Sequence, residues 1–415
     1  MGEPTIGPML RSLRRQSGRS QKQQAELLSE LAGRPVTRNE VSRWENESRL
    51  PTPYWQGHSA ASFGVAAAEL ERAVIVTRTE RRQEKVDHEE VDDPVRRRDF
   101  IGAMAAIALP LSHNSDHSLG SRVDSEDVRR LYSRNARLRR LDNFMGGADT
   151  YNLYAAEVSN TADLLKSGIY NSNTGLKLKS ILGEQAQLAG WAAFDAGQYS
   201  VAKTHYMTSL AAAEEADDLA LAGNALAFLA YQMTATSQNG VSTAAASWEK
   251  AQKSATPKVR ALLVERLAWS HAVAGQAKET DTALALAREA LNAHDDRPEP
   301  DWVFWVDAVE MDIMAGRCWT QLRRPLRAVP ILESVLQGFD DTHARDKALY
   351  TTWLADAYVD ASEVEQAAVT TVRALDLATG VASVRPKARI EEVSQRLNRH
   401  RDTPEVAALM DRLAR

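Results

Sequence analysis

Gly190-Trp191-Ala192-Ala193-Phe194-Asp195-Ala196-Gly197-Gln198-Tyr199 reads as the close of one helix, a glycine turn and the opening of a second helix. Ala202, Tyr206 and Leu210, four residues apart, then mark the buried side of that second helix. A small residue followed twelve positions later by Ala recurs as Gly190/Ala202, Gly316/Ala328 and Ala355/Ala367, and less closely as Met233/Ala245 and His271/Ala283. Small residues let two helices cross closely, while bulky residues four and eight positions on fill the groove against the next hairpin. A chain patterned this way buries a core only by stacking hairpin on hairpin.

The Ala anchors at 202, 245, 283, 328 and 367 fall 43, 38, 45 and 39 residues apart. The pattern resembles a diverged tetratricopeptide array, whose usual period is about 34 residues, with lengthened loops such as 295–300. Asp124–Leu141 and Asp149–Leu165 read as an atypical leading hairpin, and Pro404–Leu413 as a C-terminal cap. In such an array the first helix of each hairpin faces inward. Counting from the small residue places Glu184, Gln187, Trp191, Glu310, Arg317 and Asp356 on that inner side. Amide and carboxylate groups there suit a peptide backbone and Trp191 suits its side chains, although the same positions also serve ordinary packing.

The chain of 415 residues is too long for one ordinary core, so two or three domains are expected. Hydrophobic residues make up 44% and charged residues 26%, the composition of a folded protein, and the abundance of Ala and Leu favours helix throughout. Cys318 is the sole cysteine, which rules out an intramolecular disulfide and a cysteine-based zinc site and fits a reducing compartment. Polar and basic residues follow Met1, and no apolar run approaches the ~20 residues that span a bilayer. The expectation is a cytoplasmic protein without membrane association. The net charge of −5 hides an uneven distribution: residues 1–55 carry nine Lys/Arg against six Glu, a net +3, and the remainder a net −8. A basic head on an acidic body suits a nucleic-acid reader with an appended protein domain.

Within the head, Ile6, Met9, Leu10 and Leu13 follow helical spacing, and Gly18 stops that helix. Ser20 with Gln23, and Thr37 with Glu40, have the spacing of capping boxes that open a second and a third helix. The third helix has Val41 and Trp44 as its apolar anchor. It displays Thr37, Arg38, Asn39, Ser42 and Arg43 from its N-terminal side. These side chains suit base edges and phosphates, and a helix N-terminus itself favours phosphate.

Gln16-Ser17-Gly18-Arg19-Ser20-Gln21, Ala25, Val41-Ser42-Arg43-Trp44-Glu45 and Pro51 resemble the Xre/lambda-repressor helix-turn-helix family. That resemblance implies an N-terminal helix-turn-helix domain over 1–82, a brace between Arg14 and Glu45, and contact of Gln21 with the DNA backbone. Between Ala25 and Val36 the chain is about six residues longer than the family's usual turn, which leaves the angle of the third helix open. Residues 83–123 read as a linker containing a short apolar helix, and 124–415 as the repeat domain. Arg96-Arg97-Arg98 before an Ala-rich run looks like a twin-arginine motif, but it lies behind a domain and reads more plainly as part of an interdomain helix. His113 and His117 have a metal-compatible spacing without a third ligand nearby. Head and body together, with Arg137–Asp142, Gly146-Gly147 and Gly190–Gly197, resemble actinobacterial Xre-type regulators with tetratricopeptide domains. The architecture is also similar to Gram-positive peptide-pheromone receptors, an analogy of fold.

No phosphate loop, Gly-x-Ser-x-Gly elbow or His-Glu-x-x-His motif occurs, so neither catalysis nor a metal or other cofactor is expected. Two function classes remain. One is a homodimeric transcription factor that reads a two-fold-related site in double-stranded DNA, with a peptide, small ligand or protein in its repeat groove. The other is an adaptor whose repeats recruit a partner protein.

Overall fold

The computed structural model describes residues 5–32, 36–47, 50–51, 53–66, 69–70, 72–74, 76–77, 122–142, 145–339, 343–379 and 381–414. The expected linker with Arg96-Arg97-Arg98, His113 and His117 lies outside them. The fold is all-α, without a strand among the described residues. It divides into two compact units, residues 1–101 and 102–415.

In the first unit, α1 (Ile6–Gln16), α2 (Gln21–Ala32), α3 (Arg38–Glu45) and α4 (Pro53–Phe63) are set by local signals. Gly18, at φ +69°, ends α1. Ser20 and Gln23 form one reciprocal capping box and Thr37 and Glu40 another, so the first amides of α2 and α3 have acceptors. Ile6, Leu10, Ala25, Leu28, Val41 and Trp44 close a core with Leu70 and Val74, while Trp55, Phe63 and Val65 pack at its margin. The α1 N-terminus is satisfied at long range: Ile6 N donates to Thr77 Oγ1 at 2.7 Å. The extra length after Ala25 is partly helical, since α2 runs on to Ala32.

The second unit opens with α5 (Ser125–Leu141), α6 (Gly147–Ser167), α7 (Ser172–Asp195) and α8 (Tyr199–Glu215). It continues with α9 (Leu219–Ala235), α10 (Val241–Ala251), α11 (Pro257–Val273) and α12 (Ala277–Leu291). After a 3-10 turn at Asp301–Val303 come α13 (Ala308–Gln321), α14 (Pro325–Gly338), α15 (Ala344–Asp360), α16 (Val364–Ala378), α17 (Val384–Leu397) and α18 (Pro404–Leu413). Each helix from α7 to α17 packs on its neighbour in sequence, and the odd-numbered helices α5 to α17 also pack one on the next as a continuous row.

One turn recurs between paired helices. A left-handed residue sits at Gly197, Asp217, Ser237, Gly275, Arg323 and Ser362, and the following amide bonds back five residues, as in Gln198 N to Ala193 O and Gln276 N to His271 O. Five residues past this turn stand Ala202, Thr280, Ala328 and Ala367, each fully buried. The twelve-residue spacing therefore needs correcting in two hairpins. Thr280 takes the place expected of Ala283. In the α9–α10 hairpin the connection is two residues longer, so the fully buried residue is Ala244 and Ala245 is only half-buried.

The row also returns to its start. Arg345 on α15 donates to both oxygens of Asp142 at 2.8 and 3.0 Å, and Arg385 Nε on α17 donates to Asp195 Oδ1 at 2.6 Å. Ser383 Oγ and Gly147 N also donate to Asp195, at 2.9 and 2.8 Å. A Cβ on Gly146 would stand 2.1 Å from Ala382 O, so only glycine permits this approach.

Because nothing lies within 4 Å of a Cβ built on Gly275, its φ of +74° isolates backbone strain. Gly275→Ala is expected to cost about 1 kcal/mol, and the exposed Ser237→Gly to gain about half that, in urea unfolding. Equal effects of the same sign would refute the strain argument.

Candidate functional site

In the first unit, Thr37, Arg38, Asn39 and Arg43 of the α3 region are exposed and Ser42 is half-buried, while Val41 and Trp44 face the core. Trp44 rests against Trp55 with ring centroids 5.6 Å apart. The Thr37 hydroxyl serves as the α3 cap, and Ser42 Oγ accepts from Asn46 Nδ2 at 3.3 Å. The end of α3 is fixed from behind. Arg14 donates through Nε and Nη2 to the two oxygens of Glu45, at 2.5 and 2.8 Å, and Gln21 Nε2 adds a third bond at 3.0 Å. Gln21, half-buried at the start of α2, is thus joined to the same carboxylate. Burial alone would raise the Glu45 carboxyl. The hydrogen bonds from Arg14 and Gln21 and the charges of Arg14 and Arg11 hold it below the usual range. Arg11 Nη2 also binds Glu45 O at 2.7 Å, so α1 grips the α3 C-terminus through two arginines.

The second unit places Glu184, Gln187, Trp191, Glu310, Arg317 and Asp356 on the odd-numbered row, buried apart from the half-buried Trp191. Two are consumed by ion pairs. Glu184 accepts from Arg139 at 2.7 Å, and Asp356 meets Arg389, Arg396 and Arg323. Trp191 donates to Asp142 Oδ2 at 3.1 Å and takes the Arg385 guanidinium on its face at 4.5 Å.

Arg317 belongs to a different assembly, which the repeat spacing did not bring out. Its guanidinium carbon lies 4.8 Å from the Trp269 ring centroid and 5.3 Å from that of Trp353, and Nη2 donates to the Tyr231 hydroxyl at 2.7 Å. Arg266 lies 4.8 Å from the Tyr231 centroid on the neighbouring helix. Glu265 and Glu310 complete the group. Burial pushes the Glu265 carboxyl up to about 8 and that of Glu310 up to about 7, despite the attraction of Arg266 and Arg317. Burial would also raise the Tyr231 phenol, but Arg317, Arg385 and Arg266 together bring it below its ordinary value. The signal for this cluster was present in Leu263-Val264-Glu265-Arg266-Leu267-Ala268-Trp269, where two charges interrupt an apolar run. The Cys318 thiol beside Arg317 in the chain is fully buried and pushed up by that burial. Among the described residues no group of His, Cys, Asp or Glu is placed to hold a metal, and no helix is long and apolar enough to cross a membrane.

Two measurements test these environments. Arg14→Ala strands the nearly buried Glu45 carboxylate and should destabilise the first unit by roughly 2 kcal/mol in denaturant unfolding. A loss within error of zero would remove the brace. For Glu265, the folded chain keeps a proton that the unfolded chain releases above its ordinary value of 4.5. Its destabilisation is therefore absent below that value, grows as pH rises and is complete above about 8. Glu265→Gln should gain stability over wild type progressively between about pH 5 and 8. Parallel pH profiles would contradict the assignment.

No family model, curated protein or solved structure matches this chain.

Proposed function

We propose that the chain is a sequence-specific DNA-binding transcriptional regulator of the Xre/lambda-repressor kind. In this reading α2 and α3 are the helix-turn-helix, and the second unit is a diverged tetratricopeptide-like solenoid that dimerises and binds a peptide, small ligand or protein. The observation that carries it is the exposure of Arg38, Asn39 and Arg43 on a capped helix whose opposite side is anchored by Val41, Trp44 and Glu45. Arg reads guanine and Asn reads adenine through paired hydrogen bonds; Arg38 and Asn39 open α3 beside its cap Thr37, where a helix in the major groove meets base edges, and Arg43 follows in the last turn. In this reading the N-terminus of α2 meets a phosphate, with the Gln21 side chain also holding Glu45. The recurring hairpin turn and the side-by-side row of odd-numbered helices support the repeat reading.

Selection from a random duplex pool at fixed salt tests the reader, with an Arg38→Ala/Arg43→Ala double variant in parallel. A two-fold-symmetric motif should be enriched by the wild type, and the variant should bind it about 100-fold more weakly. Absence of enrichment, with residual binding unchanged in the variant, would overturn the direct reader in favour of an adaptor whose repeats recruit a protein.

A further inference from the structure

Two guanidinium groups in the interior of the second unit keep N–H groups without acceptors. Arg266 and Arg317 are no more than 5% exposed. Arg266 Nε and Nη1 and Arg317 Nε have no hydrogen-bond partner among the described residues. Glu265 Oε1 comes within 3.1 Å of Arg266 Nη1 but out of line for a hydrogen bond, and both Glu265 oxygens are likewise without one. A buried cation whose N–H groups find no acceptor is costly, and such cases ask for an explanation.

Aromatic rings define what fits there. Tyr231 packs against Arg266, while Trp269 and Trp353 pack against Arg317. Rings at these distances cover the faces of the guanidiniums and leave their N–H edges to find acceptors. Bonding capacity is left on Nε and Nη1 of Arg266, on opposite edges of its guanidinium, and on Nε of Arg317, so an oxyanion between the two residues would take an N–H from each. Burial pushes the Glu265 and Glu310 carboxyls up from their ordinary value, which weakens both as counter-charges to the two arginines. The connection from α12 to α13 lies over Arg266, with the Trp305 ring centroid 5.6 Å from its guanidinium carbon. That connection is clamped at Asp301 by Arg140, at 2.7 Å, and by Arg139.

We propose that the second unit binds an oxyanion, a carboxylate or phosphate group of its ligand, between Arg266 and Arg317 beside Tyr231, beneath the α12–α13 connection. This deepens the ligand-binding part of the function proposed above and rests on it. Chloride, a single atom, cannot offer a separate oxygen to each guanidinium and is not equivalent.

The test uses the full chain at fixed pH and ionic strength, titrated with inorganic phosphate in one arm and acetate in another, against chloride. Saturable thermal stabilisation of about 4 °C or more in the phosphate arm marks a phosphorylated ligand, and in the acetate arm a carboxylate ligand. Arg266→Gln and Arg317→Gln should abolish the shift. Arg288→Gln, at an exposed arginine paired with Asp312 on α13, should keep it. Should the two interior variants fail to fold, tryptophan fluorescence of the wild type decides, because Trp269 and Trp305 adjoin the site. A saturable change with either anion supports the site. A flat response to both overturns it and leaves water as the partner of these groups. A chain that selects a DNA motif yet shows no saturable response loses the oxyanion site alone. A chain that responds to the anion without selecting DNA loses the reader alone.

Discussion

The Asp195 carboxylate is the point on which the second unit turns. It is fully buried at the C-terminal end of α7, and it receives Arg385, Ser383 and the amide of Gly147. Burial works against its charge, yet Arg385, Arg345 and the Gly147 amide keep it below the ordinary carboxylate range. Three separate pieces of chain thus meet at one anion, and the row of odd-numbered helices cannot move at that point without stranding it. Arg385 also lies over Trp191, so the same residue that closes the row orders the aromatic side of the interior.

The two units solve a similar problem at different scales. In the first, Arg14 and Gln21 position the end of a single helix through Glu45, over 31 and 24 residues of chain. In the second, Arg345 and Arg385 reach carboxylates 203 and 190 residues away. Both place a carboxylate at the end of a helix and hold it with a guanidinium from another helix. An arginine fork fixes orientation as well as distance, which a lysine in the same place would not.

Local structure was legible in the sequence because local rules decide it. The capping boxes at Ser20/Gln23 and Thr37/Glu40, the stop at Gly18 and the turn at Gly197 each depend on residues within a few positions. The hairpin register was legible where the turn has its standard length and slipped where it does not, at Ala244 and Thr280. Left-handed turns at Asp217, Ser237, Arg323 and Ser362 escaped notice because their residue types do not advertise that conformation. The closure at Asp142 and Asp195 had no local signal, since its partners are separated by half the chain. The interior cluster was half legible: the repeat count reached Glu310 and Arg317, and Glu265 and Arg266 interrupt an apolar run, but Tyr231 and the grouping itself emerged only once α9, α11 and α13 were side by side.

A stack of helical hairpins whose members touch only their neighbours can nucleate anywhere and fray from either end. Joining its first and last helices changes that behaviour. Opening an end then breaks buried ion pairs as well as one interface, so amide exchange in α5–α7 and α15–α17 becomes linked to opening of the larger unit. The same joining makes assembly slower. Contacts spanning some two hundred residues raise contact order, and the entropy of closing that loop opposes the step until the hairpins between are in place. Docking of α15–α17 onto α5–α7 is accordingly a late event in folding, and a nascent chain lacking its last hundred residues has no means of completing it.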